Sequence, residues 1–198
     1  MPNWCNNKLV IYGTEHALTS FMSAAKNEET KFSMGAFFPM PDEIRNTNSP
    51  NRSSEEEKQD LINRYGFEDW YEWALNNWGT KWDFSAESVS EEYQDGEVEI
   101  DFETAWGPPY KFVEKLAGKF PSLTFVHMYA ESGMGFGGQI FYRNGEVANA
   151  HSTDTSQDTA MLSEWHALMV GEDWDDVEQD VDEDEDESVN NNSNEGGK

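Results

Sequence analysis

Three observations predict an α+β fold of the ferredoxin-like, split βαβ kind. Some segments alternate apolar and polar residues with period two, and others repeat apolar residues at helical spacing. These segments run in the order strand, helix, long insertion, strand, strand, helix, strand, followed by an extra C-terminal strand and helix. Asp95-Gly96 joins the two middle strands and is a hairpin turn signal. In such a fold two helices cover one face of an antiparallel sheet, and the other face stays open unless something packs on it.

Lys8–Tyr12 is a short apolar run closed by Gly13, which predicts a strand. Thr14 offers an N-cap, and Ala17, Leu18, Phe21, Met22 and Ala25 make the buried stripe of a helix over 15–26. Phe32–Phe38 is apolar and precedes Pro39-Met40-Pro41, so a short strand or edge segment is expected, confined by the prolines to an edge or an end. Residues 42–60 are polar and turn-rich, an exposed loop with a helix from Ser54 onward. A helix is predicted over 68–78, with Gly79 ending it. Trp82–Glu87 and Glu97–Thr104 alternate and are predicted to be paired strands. Pro108-Pro109 opens a helix whose buried stripe is Phe112, Val113, Leu116, Ala117 and Phe120. Leu123–Ala130 and Gln139–Arg143 are strands, separated by a glycine-rich turn, and the second ends at Asn144-Gly145. Residues 157–170 carry Met161, Leu162, Trp165, Leu168 and Met169 on one side of a final helix.

The domain organisation follows. Residues 1–150 form the domain, with an aromatic-rich insertion at about 27–81. Residues 151–171 hold the C-terminal helix, and 172–198 an acidic tail. The tail has 13 acids and one lysine, including six consecutive carboxylates from Asp182 to Glu187. Such a run repels itself and buries nothing, so disorder is expected there.

The whole chain has 198 residues, 40 acids, 13 Lys plus Arg and a net charge of −27. That balance argues against gripping nucleic acid directly, because phosphate binding runs on Lys and Arg. No apolar run approaches the ~20 residues of a membrane span. The first residues lack the basic and apolar regions of a secretory signal. With Cys5 alone, no intrachain disulfide can form. A cytoplasmic, reduced protein is expected.

Several separated motifs resemble the YubB-type ferredoxin-like domain family of phage and plasmid proteins. They are Met1-Pro2-Asn3-Trp4-Cys5-Asn6-Asn7, Trp78-Gly79-Thr80-Lys81-Trp82-Asp83 and Phe102-Glu103-Thr104-Ala105-Trp106-Gly107-Pro108-Pro109. Pro121–Phe125, Tyr129-Ala130-Glu131 and Phe136-Gly137-Gly138 fit as well, so the similarity covers roughly residues 1–150. The resemblance implies a ferredoxin-like fold and a mobile-element setting. It implies no reaction and assigns no catalytic residue.

The residues themselves point to no cofactor. Gly133, Gly135 and Gly138 fit the dinucleotide fingerprint literally, but a strand follows where a helix is required, so a tight turn is expected. His16, His127, His151 and His166 lack metal-ligand spacing, and one thiol cannot hold an iron–sulfur cluster. Asp182–Glu187 lacks the spaced ligands of a calcium loop.

Two surfaces are candidates for function. Glu97, Glu99, Asp101 and Glu103 share one face of a strand at ~7 Å spacing. They read either as a solvated face or as a negative stripe that copies a phosphate row. Trp78, Trp82 and Trp106 read either as core or as an aromatic pocket. The acidity favours a non-enzymatic module that binds a basic or DNA-binding host protein, with DNA mimicry or anti-defence activity as a subtype. A small-ligand or enzymatic domain with a Trp-lined pocket, or a virion component, is the alternative. Nothing in the sequence sets the oligomeric state.

Overall fold

A computed structural model describes residues 3–26, 30–84, 90–94, 96–131 and 133–154. Its centre is an antiparallel sheet. The strands are β1 (Trp4–Tyr12), β2 (Ser90–Gln94), β3 (Glu97–Ala105), β4 (Thr124–Glu131), β5 (Phe136–Arg143) and β6 (Glu146–Asp154). They lie in the order β2-β3-β1-β4-β5-β6, all neighbours antiparallel. The first four are the split βαβ arrangement, and β5 and β6 extend the sheet by a hairpin.

Helix α1 (Glu15–Ala25) starts where Thr14 accepts a hydrogen bond from the Ala17 amide. It buries Leu18, Phe21, Met22 and Ala25, as its spacing predicts. Helix α6 (Tyr110–Lys119) buries Phe112, Val113, Leu116 and Ala117. Pro109 offers no side-chain cap, and the Trp78 carbonyl accepts from the Phe112 amide instead, at 3.2 Å. Both helices pack on the sheet face that carries Leu9, Ile11, Ile100, Phe102 and Phe125. On the opposite face Val10 and Val126 are cross-strand neighbours and are also buried.

Among the described residues the insertion contributes four helices: α2 (Met34–Phe37), α3 (Asp42–Arg45), α4 (Glu55–Tyr65) and α5 (Trp70–Asn77). Ser54 and Glu57 form a reciprocal capping box at the start of α4, and Gly66 at φ +83° ends it. Asp69 caps α5 through the Glu72 amide. The insertion is anchored by rings. Phe32 and Phe37 enter the core and contact Phe21, Phe84, Phe102 and Phe112 at centroid separations of 5.2–6.2 Å.

Three expectations are corrected. Phe32–Phe38 is not an edge strand, because Met34–Phe37 is helical. The cause is a distant carboxylate. Asp83 accepts from the Met34 amide, the Gly35 amide and the Ser33 hydroxyl, each at 2.8 Å. That supplies the acceptors a helix start needs, and no residue near position 33 advertises it. For the same reason Trp82–Phe84 is not strand: Asp83 also accepts from the Phe84 amide, which holds this stretch irregular. Residues 85–89 lie outside the described set, and the strand that pairs with β3 is Ser90–Gln94.

The third correction is β6. Asn144 and Gly145 both have positive φ, at +56° and +84°, and Arg143 faces Glu146 across a two-residue turn. Asn-Gly is the signal for such a turn, but its second arm is too polar to read as a strand. His151–Asp154 therefore belong to β6. The helix expected over 157–170 and the acidic tail lie outside the described residues, as does Asp95.

Asp83→Ala is expected to destabilise the fold by about 2 kcal/mol or more, since four donors lose a charged acceptor. Urea unfolding would measure it, and a loss within experimental error would show that α2 does not depend on this cap.

Candidate functional site

The four acids of β3 do share one face. Glu97, Glu99 and Asp101 are half-buried and Glu103 is exposed, while Val98, Ile100 and Phe102 between them are buried. They do not form an uninterrupted negative stripe. Lys8 on the neighbouring β1 lies opposite Asp101, with its Nζ 3.0 Å from Glu99 Oε2 and 3.3 Å from Asp101 Oδ1. Burial pulls the Lys8 amine down, but the bonds to Glu99 and Asp101 outweigh it and its pKa is raised. Burial also raises Tyr12, with the Glu97 carboxylate opposite it adding to the shift.

The three tryptophans predicted to line one pocket part company. Trp78 is buried at 6% exposure, and its Nε1 donates to the Phe38 carbonyl at 3.0 Å. Trp82 is 42% exposed and Trp106 52%. A cavity of about 310 Å³ is lined by Met40, Arg45, Trp70, Trp78, Lys81, Trp82 and Asp83. Trp78 and Trp82 meet there, and Trp106 does not take part.

Trp106 belongs to a different surface. Trp4 is 47% exposed and begins β1 opposite Ala105, the last residue of β3. Its ring lies 6.5 Å from that of Trp82. Trp106 follows Ala105 and is held at φ +72°. Its amide donates to Asn3 O at 2.9 Å, Thr80 Oγ1 donates to Ala105 O at 3.1 Å, and Thr104 Oγ1 donates to Gly107 O at 2.8 Å. Two bonds from separate segments, at Asn3 and Thr80, and one local bond across Trp106 thus over-determine a backbone conformation that tryptophan rarely adopts. The result is a rim of exposed indoles at one end of β1 and β3. Trp4, which carries part of it, is absent from the sequence-predicted site. Its signal was weak, a lone tryptophan before a strand.

Behind this rim lies a buried polar cluster that sequence reasoning also missed. His127 is fully buried on β4, and its Nε2 lies 3.0 Å from Asn7 Oδ1. Asn7 Nδ2 donates to Cys5 O and to Thr104 Oγ1, both at 2.8 Å. With its amide hydrogens committed, Asn7 presents its oxygen to the ring, so His127 carries its proton on Nε2. Among the described residues His127 Nδ1 has no hydrogen-bond partner. Burial lowers the His127 pKa to about 3, so the ring is neutral. The Cys5 thiol is pushed well above its ordinary value by burial, with Glu131 adding to the shift. The thiol is therefore a poor nucleophile.

The glycine-rich turn is closed to phosphate. Glu131 Oε1 accepts from the Gly133 amide at 3.0 Å, and Oε2 from the Met134 amide at 2.7 Å. A carboxylate already occupies the place an anion would take. Among the described residues no group of three or more His, Cys, Asp or Glu is arranged to hold a metal ion. None of the described helices is long and apolar enough to cross a membrane.

Comparison with known proteins agrees with this architecture. The crystal structure of the protein api92 from Yersinia pseudotuberculosis superposes with a TM-score of 0.52 at 10% sequence identity, covering 78% of this chain and 99% of that one. At that identity the likeness concerns the fold alone. No curated protein matches. Residues 77–189 match the family described as the ferredoxin-like domain in Api92-like protein. The match starts later than the motif resemblance, at the end of the insertion, and runs past residue 150. Covering more than half of the sequence, it shows that this chain belongs to the Api92-like family of ferredoxin-like domains.

Proposed function

We propose that this protein is a non-enzymatic binding module for a basic partner protein, and that it docks through the indole rim of Trp4, Trp82 and Trp106. The setting we propose, a phage or plasmid accessory protein, rests on the YubB-type motifs in the sequence. Trp106 carries the reading. Its left-handed backbone costs on the order of 1–3 kcal/mol, yet its indole is half in water and gains little from burial. Glycine would serve the backbone without that cost. A strained residue that presents an aromatic surface to solvent fits a contact made with something else, and tryptophan is enriched where interfaces concentrate their energy.

The net charge of −27 supplies a long-range field that speeds encounter with a basic partner and weakens with salt. Lys8 bridges two of the four β3 acids, so the row serves attraction better than it copies a phosphate backbone.

Capture from bacterial lysate with the full chain and with Trp106→Gly, at low and moderate salt, tests the proposal. A basic protein retained by the wild type, weakened by salt and reduced at least about tenfold in affinity by Trp106→Gly is expected. The variant should keep its stability to within about 1 kcal/mol, because relief of the positive φ offsets the flexibility of glycine. Equal capture by both proteins, or no basic partner with either, would overturn the reading.

A further inference from the structure

We infer that the cavity between α3, α5 and the Lys81–Asp83 segment binds a small aromatic anion, a flat ring bearing a carboxylate or a phosphate. The inference concerns a site apart from partner docking and does not depend on it, although Trp82 borders both surfaces. The cavity, at about 310 Å³, lies within the range of small-ligand pockets.

Its walls explain the ring. Trp70, Trp78 and Trp82 line it together with Met40. The one polar atom of the Trp78 indole is already spent on the Phe38 carbonyl, so Trp78 offers π surface and no donor.

Its charges explain the anion. Lys81 Nζ sits 4.3 Å from the ring centroid of Trp82 and 5.9 Å from that of Trp70. In a chain with 40 acids and 13 Lys plus Arg, Lys81 makes no ion pair among the described residues. Arg45 adds a second cation to the lining. It donates to the Met40 carbonyl at 3.1 Å and pairs with Asp42 at 3.3 Å on the exposed surface, where such a pair holds it weakly. Asp83 is the one carboxylate among the described lining residues, and its oxygens accept from Ser33, Met34, Gly35 and Phe84. The charge left available to a ligand is therefore positive. Trp-lined cages commonly recognise cations, but here Lys81 already lies over one face of Trp82 and a second cation would meet like charge. An anion would instead gain a charge-assisted bond to Lys81 while its ring stacks on indole.

The test titrates the full-length protein with adenosine monophosphate, indole-3-acetate and neutral adenosine, read by calorimetry. At least one of the two anions should bind about tenfold or more tightly than adenosine. Preference for the nucleotide would identify phosphate as the recognised group, and preference for indole-3-acetate a carboxylate. Lys81→Met keeps the stem and removes the charge. It should weaken the bound anion at least about tenfold while the thermal midpoint falls by no more than about 2–4 °C for the lost cation–π contact. The inference is overturned if neither anion binds at millimolar concentration, if adenosine binds equally well, or if Lys81→Met leaves affinity unchanged.

Discussion

Gly138→Ala is expected to destabilise this protein by about 3 kcal/mol, at the upper end of what overpacking costs. Gly138 on β5 faces Tyr129 on β4 in register. The tyrosine ring lies across the glycine, so an added Cβ would run into the Tyr129 hydroxyl and the carbon that bears it. It would also lie 2.8 Å from the His151 carbonyl on β6, which is backbone and cannot turn aside. Tyr129 is itself buried at 3% exposure, with Tyr110 packed edge-on at 5.3 Å. Swinging the ring away would cost that packing as well. Gly118→Ala is the contrast. Gly118 lies in α6 with nothing within 4 Å of an added Cβ, and it should stabilise by about 0.5–1 kcal/mol through helix propensity. Chemical denaturation of both variants reads the difference. Similar stabilities for the two would mean that β4 and β5 separate easily and that the tyrosine does not lock them.

Acid should unfold this protein through His127 before the bulk of its carboxylates titrate. In the unfolded chain the imidazole takes up a proton near its ordinary value of 6.5, whereas in the folded protein burial holds it to about 3. The folded pKa is the lower of the two, so this contribution to stability is fully present above pH 6.5. It is lost progressively as pH falls from 6.5 toward 3. By pH 5 the loss is about 2 kcal/mol. Urea unfolding of the wild type and of His127→Gln at pH 7.5 and pH 5 isolates this term from the carboxylates, which both proteins share. The wild type should lose about 2 kcal/mol more than the variant between the two pH values. Equal losses would show that the folded protein accepts a proton at His127 at small cost.

The candidate surfaces show how far a linear reading reaches. The acids of β3 were legible because period two places alternate residues on one face, and they do share it. Their pairing with Lys8 was not legible. It depends on β1 lying between β3 and β4 in register, with Lys8 opposite Asp101. The tryptophans were legible as a group, but composition cannot say which are core. Trp78 is buried beside Trp73 with its indole bonded to the Phe38 carbonyl, Trp82 borders a cavity, and Trp106 has a left-handed backbone held by two separate segments, at Asn3 and Thr80, and one local bond.

What the sequence determined by itself was whatever depends on near neighbours. Helical spacing marked α1, α5 and α6, Ser54 marked the start of α4, and alternation marked β3. Each is a local periodicity or cap, set by residues within a few positions of one another. Tertiary structure decided the rest. Asp83 made a helix of Met34–Phe37 from about 50 residues away along the chain. The hairpin partner β5 made a strand of the polar segment Glu146–Asp154. His127 lost its ordinary basicity only because the sheet and its packing exclude water from the ring. In each case the deciding free energy comes from a hydrogen bond, a ladder or a loss of solvent supplied by remote residues, and no window of neighbouring sequence contains it.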